Sequence, residues 1–442
     1  MNLCDRRAAL RAGVGAAAAA LLSHPVAASQ PVGGLRFFVG GDLLGPYDDA
    51  PDFAFPPFHA ITRLIGQADV AFANAESNMF DLAGFNGYLA AENGGGYPRL
   101  SERTVQALRE SGLNLLSRAN NHATDWGEAG LLATTATLDR LGFAHAGAGR
   151  SLTEARRVAV LHTRKGKVAL VAVASTFPGQ SPAGDPARGA GPRPGLNPLH
   201  VEPVTLVTAT EMTVLAGIAN RIGWQGYDLP GPGTKELRIE DKLFRVAAQA
   251  GRTWEVSAID RKALIESVAR ARSVADFVVF SIHAHETLSG GYEDPHPADF
   301  LQPLFHDLID AGADMVIRHG PHTVQGLEVF RGKPIFYSMG SLFLDLPRTL
   351  TIASEGPESA RQVIGLPAPW FDGAVATAAF AGRSLSELAF HPLVFNTTEG
   401  RTRGFPMPAG PADAPRILDT IRERSRQFGT ELRIEGTKLV LA

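Results

Sequence analysis

Three histidine-bearing clusters lie far apart in the chain, each just past an apolar run. They read Asn120-Asn121-His122-Ala123-Thr124-Asp125, His283-Ala284-His285-Glu286 and His319-Gly320-Pro321-His322. Neutral imidazoles, carboxylates and an Asn amide oxygen are the donors taken by a hard-to-borderline divalent metal. Two further positions join them from the N-terminal part: Asp42, which closes the run Leu35-Arg36-Phe37-Phe38-Val39-Gly40-Gly41, and Glu76, which follows another apolar run. Asn74 and Glu76 are two residues apart, so on a strand they point the same way, and Glu76 reaches a metal with Asn74 in support. His319 and His322 flank a Gly-Pro turn that proline stiffens, which lets two imidazoles converge on one centre. Asp125 is placed to fix the tautomer of His122, whose ring suits an acid that meets substrate oxygens. Taken singly, each residue has a plain structural role: a turn-capping Asp, a polar strand edge, an Asn-rich turn, a hydrogen-bonded His. The ordered set of five, each after an apolar run, predicts a metal centre.

Such residues must be delivered by strands. Leu35–Asp42, Ala68–Glu76, Leu113–Arg118, Val168–Ala174, Phe277–Ile282, Asp314–Ile317 and Lys333–Ser338 read as strands. Helical spacing covers Ser101–Ser111 with Ser101 as N-cap and Gly112 beyond its end, Gly127–Leu141 closed by Gly142, Arg261–Arg272, and Pro297–Ala311. Alternating strands and helices predict an α/β fold, with ligands gathered at the strand ends. The Pro/Gly-rich stretch Pro178–Pro198 predicts a long surface loop, and residues 201–255, with the turn Gly231–Gly233, predict an insertion. Ser281 and Ser338 lack the glycine-flanked elbow of a serine hydrolase.

The chain has 442 residues, 45% hydrophobic and 20% charged, with a formal net charge of −3. That balance argues against a nucleic-acid or anionic-membrane partner. Arg6-Arg7, the mild apolar stretch Ala12–Leu22 and the small residues Val26-Ala27-Ala28 predict a Tat-like export signal over residues 1–28, cleaved after Ala28. The expected mature chain is a single domain over 29–442, periplasmic or secreted, with no integral membrane segment because no run is long and apolar enough. The single cysteine, Cys4, lies inside the signal, so stability must come from a large core and bound metal.

These motifs, in this order, resemble the CapA family (capsule or poly-γ-glutamate synthesis), a relative of the calcineurin-like metallophosphoesterases. The resemblance is carried by Gly41-Asp42, Asn74-Ala75-Glu76, Ala119-Asn120-Asn121-His122 with Asp125 and Gly127, Gly130-Leu131, Gly147-Ala148-Gly149 and Arg193–Leu199. Gly312-Ala313-Asp314, His319–His322 and Gly332–Gly340 complete it, over roughly residues 35 to 345. It implies a four-layer sandwich of two mixed β-sheets flanked by helices. It implies Asp42, Glu76, Asn121, His283, His319 and His322 as ligands of one or two divalent ions (Mn, Fe or Zn). His122 becomes the catalytic histidine, with Asp125 behind it, and Asn74, His285 and Arg193 are assigned to substrate. The implied activity is hydrolysis by a metal-activated water, on an anionic polymer or a small phosphorylated or amide substrate, in the context of capsule-synthesis machinery. For an acidic polymer, Arg118, Arg188, Arg193 and Arg318 offer a basic groove. The chain departs from the pattern at Leu44, where the phosphoesterases carry His, at Asn74 and Glu76 where Asp is expected, and at Met339 and Ser341. His283-Ala284-His285-Glu286 replaces a His-Trp-Gly run and leaves open which histidine is the ligand. The alternatives are amide or peptide chemistry, as hydrolysis or epimerisation, and a non-catalytic accessory role in polymer synthesis or export.

Overall fold

The run Leu35–Leu44 is buried at nine of its ten positions, which places it inside a layered structure rather than at a surface. Its alternate side chains go to different cores. Phe37 and Val39 join a cluster with Phe277, Met315 and Ile317, while Phe38 and Leu43 join one with Ile61, Ile65 and Val105. One face of this strand therefore meets a second sheet and the other meets helices. The computed structural model describes residues 34–91, 97–223, 233–291, 294–346, 349–353 and 361–442. The proposed export segment lies outside them.

The strand belongs to a ten-stranded sheet, flanked on one side by Val70–Asn74, Leu115–Ser117 and Ala144–Ala146 and on the other by Asp372–Ala381 and Ser384–Phe395. The second sheet has six strands, ordered Leu327–Phe330, Lys333–Phe336, Met315–His319, Phe277–His283, Gly166–Ala174 and Ala159–Thr163. In each sheet the central neighbours run parallel, which gathers their C-terminal ends at one edge. The sheets pack face to face through Phe37 and Phe277, whose ring centroids are 4.8 Å apart. Each buried aromatic of this kind stabilises by about 1.5–3 kcal/mol through area removed from water. Helices Ala258–Val274 and Leu301–Asp310 cover the outer face of the six-stranded sheet, and His59–Gly66 and Glu102–Glu110 cover the other. The result is the four-layer α/β sandwich of two mixed sheets.

Local chemistry explains the boundaries. Ser101 caps Glu102–Glu110 by accepting the Thr104 N–H, and Gly112 follows it at φ +110°. The helix expected from Pro297 begins only at Leu301. Leu288 N donates to His296 O and Ala298 N to Glu286 O, so tertiary pairing takes residues 296–298 away from the helix. The stretch Pro178–Pro198 is not wholly a surface loop either. Its end turns inward, with Leu196 and Asn197 buried, Gly195–Leu196 paired to Ala148–Gly149, and Asn197 Nδ2 donating to Ala172 O. Residues 201–255 form their own four-stranded sheet with the helix Ala209–Arg221, started by a Thr208–Glu211 capping box; part of the turn Gly231–Gly233 falls outside the described residues. The hairpin Asp372–Phe395 was not legible as strands in the sequence.

Candidate metal centre

Asp42 lies in register with Asn74 in one sheet, and His283 with His319 in the other. The parallel strand ends of the two sheets thus face each other across one cleft. Two sets of three side chains meet there: Asp42 with His283 and His319, and Glu76 with His285 and His322, the donor atoms of each set within 4.8 Å of one another. Both His283 and His285 enter, one in each set. The turn between His319 and His322 packs tightly against them. At Gly320, φ +112°, a Cβ would lie 2.6 Å from His285 Cδ2 and 3.1 Å from His283 Cε1. His322 takes φ +55°, a conformation that costs a non-glycine residue about 1–3 kcal/mol, and its ring spans both acids. Its Nδ1 is 3.2 Å from Asp42 Oδ2 and its Nε2 3.8 Å from Glu76 Oε1.

The electrostatics of this cluster are incomplete without a cation. Asp42 and Glu76 are fully buried side by side. Neither oxygen of Glu76 makes a hydrogen bond, nor does His283 Nε2, which is 3.5 Å from Glu76 Oε1. The Nδ1 atoms of His283 and His319 face each other at 3.1 Å. Burial, then the charge of Asp42, pushes the Glu76 carboxyl well above its usual range. Burial would raise Asp42 too, but hydrogen bonding and charge from His322, then His319 and Asn74, hold it at about 2. Burial drives His283 and His285 well below their ordinary value and His319 down to about 4, so all three are neutral, the ligand form, near pH 7. Unpartnered buried oxygens facing neutral imidazoles fit a divalent ion.

Surrounding groups orient the cluster. Asn74 Nδ2 donates to Asp42 Oδ1 at 2.8 Å and lies 3.4 Å from His283 Nδ1, which makes it a positioning group. Asn120 Nδ2 donates to Asn74 Oδ1 and Ala75 O, whereas the neighbouring Asn121 Oδ1 is buried without a hydrogen bond. Ser281 Oγ sits 2.8 Å from His319 Nε2 and turns the other nitrogen towards Asp42. His122 Nδ1 is 2.7 Å from Asp125 Oδ2, with 14% of the His122 side chain exposed. Arg193 lies on the exposed loop, its Nε bonded to Pro182 O.

Two arginines expected in a basic groove are interior instead. Arg118 donates to Thr135 Oγ1 and Leu131 O, and Arg318 to Ala284 O and Glu286 O. Both are almost fully buried and spend their guanidinium groups on the fold. Leu44, at the position where an imidazole is missing, packs with Leu344, Phe371 and Phe395. Sequence reasoning missed two residues. Tyr47, kept a neutral phenol by burial and by the charges of Asp345 and Glu76, and Trp370, whose ring centroid is 4.8 Å from that of His322, follow no motif. Only Ser281, two residues before His283 on the same strand face, carried a usable signal.

The bacterial capsule synthesis protein PGA_cap family matches residues 37–345, which contain both sets of three and the His122–Asp125 pair. The chain is 34% identical over 411 residues to the uncharacterized protein y4sH of Sinorhizobium fredii, across 86% of this chain and 87% of that one. It is 23% identical over 250 residues to the capsule biosynthesis protein CapA of Bacillus anthracis, covering 57% of this chain and 44% of the relative. Among solved structures, that of a hypothetical protein from Thermus thermophilus aligns at a TM-score of 0.39 and 13% identity, over 81% of this chain and 98% of that one. The family match, over more than half of the chain, places it in the bacterial capsule synthesis protein PGA_cap, or CapA, family.

Proposed function

We propose that this protein is an exported metal-dependent hydrolase that cleaves phosphoester bonds, in the context of an extracellular anionic polymer. The observation that carries the reading is Glu76: a buried carboxylate beside a second one, without a hydrogen bond, facing neutral imidazoles. Asp42, His283 and His319 would hold one divalent ion, and Glu76, His285 and His322 a second, with the Asn121 amide oxygen, buried without a hydrogen bond, as a further ligand. Mn, Fe or Zn held there supplies Lewis acidity and lowers the pKa of water to about 7. The chain's own residues do the rest. Asn74 fixes Asp42 by its amide hydrogen bond. Asp125 accepts a hydrogen bond from Nδ1–H of His122 and so supports its imidazolium, whose Nε2–H would pass to the departing oxygen and leave the ring neutral. Relatives named for capsule and polyglutamine synthesis suggest a polymer as the setting. Among the described residues no helix is long and apolar enough to cross a membrane, and the proposed export rests on the twin-arginine segment alone.

Leu44 in place of an imidazole favours a second reading, a polymer-binding accessory protein whose metal is structural. The test is hydrolysis of bis(p-nitrophenyl) phosphate and of γ-glutamyl-p-nitroanilide by Mn-, Fe- or Zn-loaded protein, beside His122→Ala. The proposal expects the diester to be cleaved at least about tenfold faster than the anilide, and His122→Ala to slow it by about 100-fold or more. Preference for the anilide moves the chemistry to amides. No turnover of either by the metal-loaded protein supports the accessory role.

A further inference from the structure

The two sets of donors differ in what carries them. Asp42, His283 and His319 belong to strands, Leu35–Leu44, Phe277–His283 and Met315–His319. Glu76, His285 and His322 all stand on connecting segments just beyond the ends of Val70–Asn74, Phe277–His283 and Met315–His319. A strand residue is located by its ladder. A loop residue is located by the contacts of its segment, and for His285 those of the backbone lead outward to the inserted module, residues 201–255.

The chain of contacts is continuous. Thr176 Oγ1 accepts the His285 backbone N–H at 2.9 Å and donates to Glu286 Oε1 at 2.9 Å. Ser175 Oγ donates to Glu286 Oε2 at 2.7 Å. Arg318, fully interior, donates to Ala284 O at 3.0 Å and Glu286 O at 2.9 Å, on both sides of His285. One residue further, Thr287 O accepts the indole N–H of Trp254 at 3.1 Å. Trp254 belongs to the module's strand Gly251–Val256, and its ring lies against Phe300 with centroids 6.4 Å apart. Arg252 of the same strand lies so close over Gly290 that a Cβ there would come within 1.6 Å of its guanidinium. The module thus grips the 287–290 segment from outside, while Thr176, Glu286 and Arg318 grip 284–286 from within.

We propose that the inserted module is a brace for His285: through Trp254 and Thr287 it sets where that imidazole stands, and so the cation affinity of the loop-borne set, without touching the strand-borne set. The proposal rests on the reading of both sets as cation sites. Ligand positions must hold to about half an ångström, so a loosened 284–287 segment weakens one site selectively.

The test compares wild type with Trp254→Phe, which keeps the ring and removes the N–H, and Thr176→Val, which removes the hydroxyl that holds His285. Metal-free protein is titrated with Mn²⁺ by calorimetry, and amide hydrogen exchange is followed without metal. The expected result is two classes of site in wild type. The weaker class should lose about tenfold or more affinity in each variant, as for other groups that orient ligands, and the tighter class should be unchanged. Exchange should quicken at 284–288 and stay the same at 315–319. Equal loss of both classes, or loss of neither, overturns the brace. If wild type binds no metal, the cation-site reading fails instead, and exchange alone decides: faster exchange at 284–288 upholds the brace and unchanged exchange overturns it.

Discussion

The six-stranded sheet has a buried carboxylate near each end, and the two are treated oppositely. At the N-terminal ends of its strands, Asp314 is completely buried and surrounded by the chain's own cations. It accepts hydrogen bonds from Arg272 Nη1, Lys333 Nζ and Arg383 Nε at 2.7–2.8 Å, and from the Val278 N–H at 3.0 Å. At the C-terminal ends, Glu76 is just as buried and has no hydrogen bond at all, with Asp42 beside it rather than a lysine or arginine. A carboxylate that serves the fold is neutralised by the fold. One left bare among neutral imidazoles is positioned for a cation from solution.

The largest effect that sharpens this contrast is on stability. Asp314→Asn should cost about 2–4 kcal/mol, because three cations lose their shared partner and Arg383 alone among them is near half exposed. Glu76→Gln should leave the metal-free protein within about 1 kcal/mol of wild type, or more stable, since it replaces an acid whose charged form the site leaves uncompensated. Urea unfolding in the presence of chelator measures both. Equal losses at the two ends would break the comparison.

Next comes pH. Burial holds His319, His145 and His391 down at about 4 in the folded chain, against an ordinary value of 6.5. Between those values these three histidines bind more protons in the unfolded chain than in the folded one, so their contribution to stability is full above about pH 6.5 and is lost as pH drops towards 4. Thermal unfolding of metal-free protein from pH 7.5 to 4.5 checks the sign. A melting temperature that rises on acidification would contradict it.

Smaller again is Ser281→Ala, which should weaken metal binding by about 10–100-fold through loss of the His319 Nε2 contact while leaving the fold intact; calorimetric titration reads it. The smallest effect is remote from both ends: Ser101→Ala should cost about 1 kcal/mol by uncapping Glu102–Glu110, with metal affinity unchanged.

The meeting of Asp42, Glu76, His283, His285, His319 and His322 was legible because parallel strands deliver what stands at their C-terminal ends to one edge, and each residue followed an apolar run. The choice between His283 and His285 was not, because residues two apart share a strand face and both enter the cleft. Arg118 and Arg318 looked like surface charge, since a sequence shows a side chain's charge but not the carbonyls that will surround it. The α/β class was legible from the alternation of strands and helices over residues 35–340, and the layering of two sheets only through the family resemblance. The hairpin Asp372–Phe395 was hidden because Ala374, Ala376 and Ala378 pack inward as small residues and carry no strong hydrophobic signal. Tyr47 comes to the cleft on an irregular segment and Trp370 on the single-turn 3-10 helix Ala368–Phe371, where periodicity has nothing to say.

The measurement that tests the central claim most directly is the metal content of the purified protein by elemental mass spectrometry, beside the double variant His319→Ala/His322→Ala. Stoichiometric Mn, Fe or Zn in wild type and none in the variant is the predicted result. A wild type that stays empty after reconstitution with each of these ions would contradict the account, and Glu76 would then be a buried acid that the fold simply tolerates.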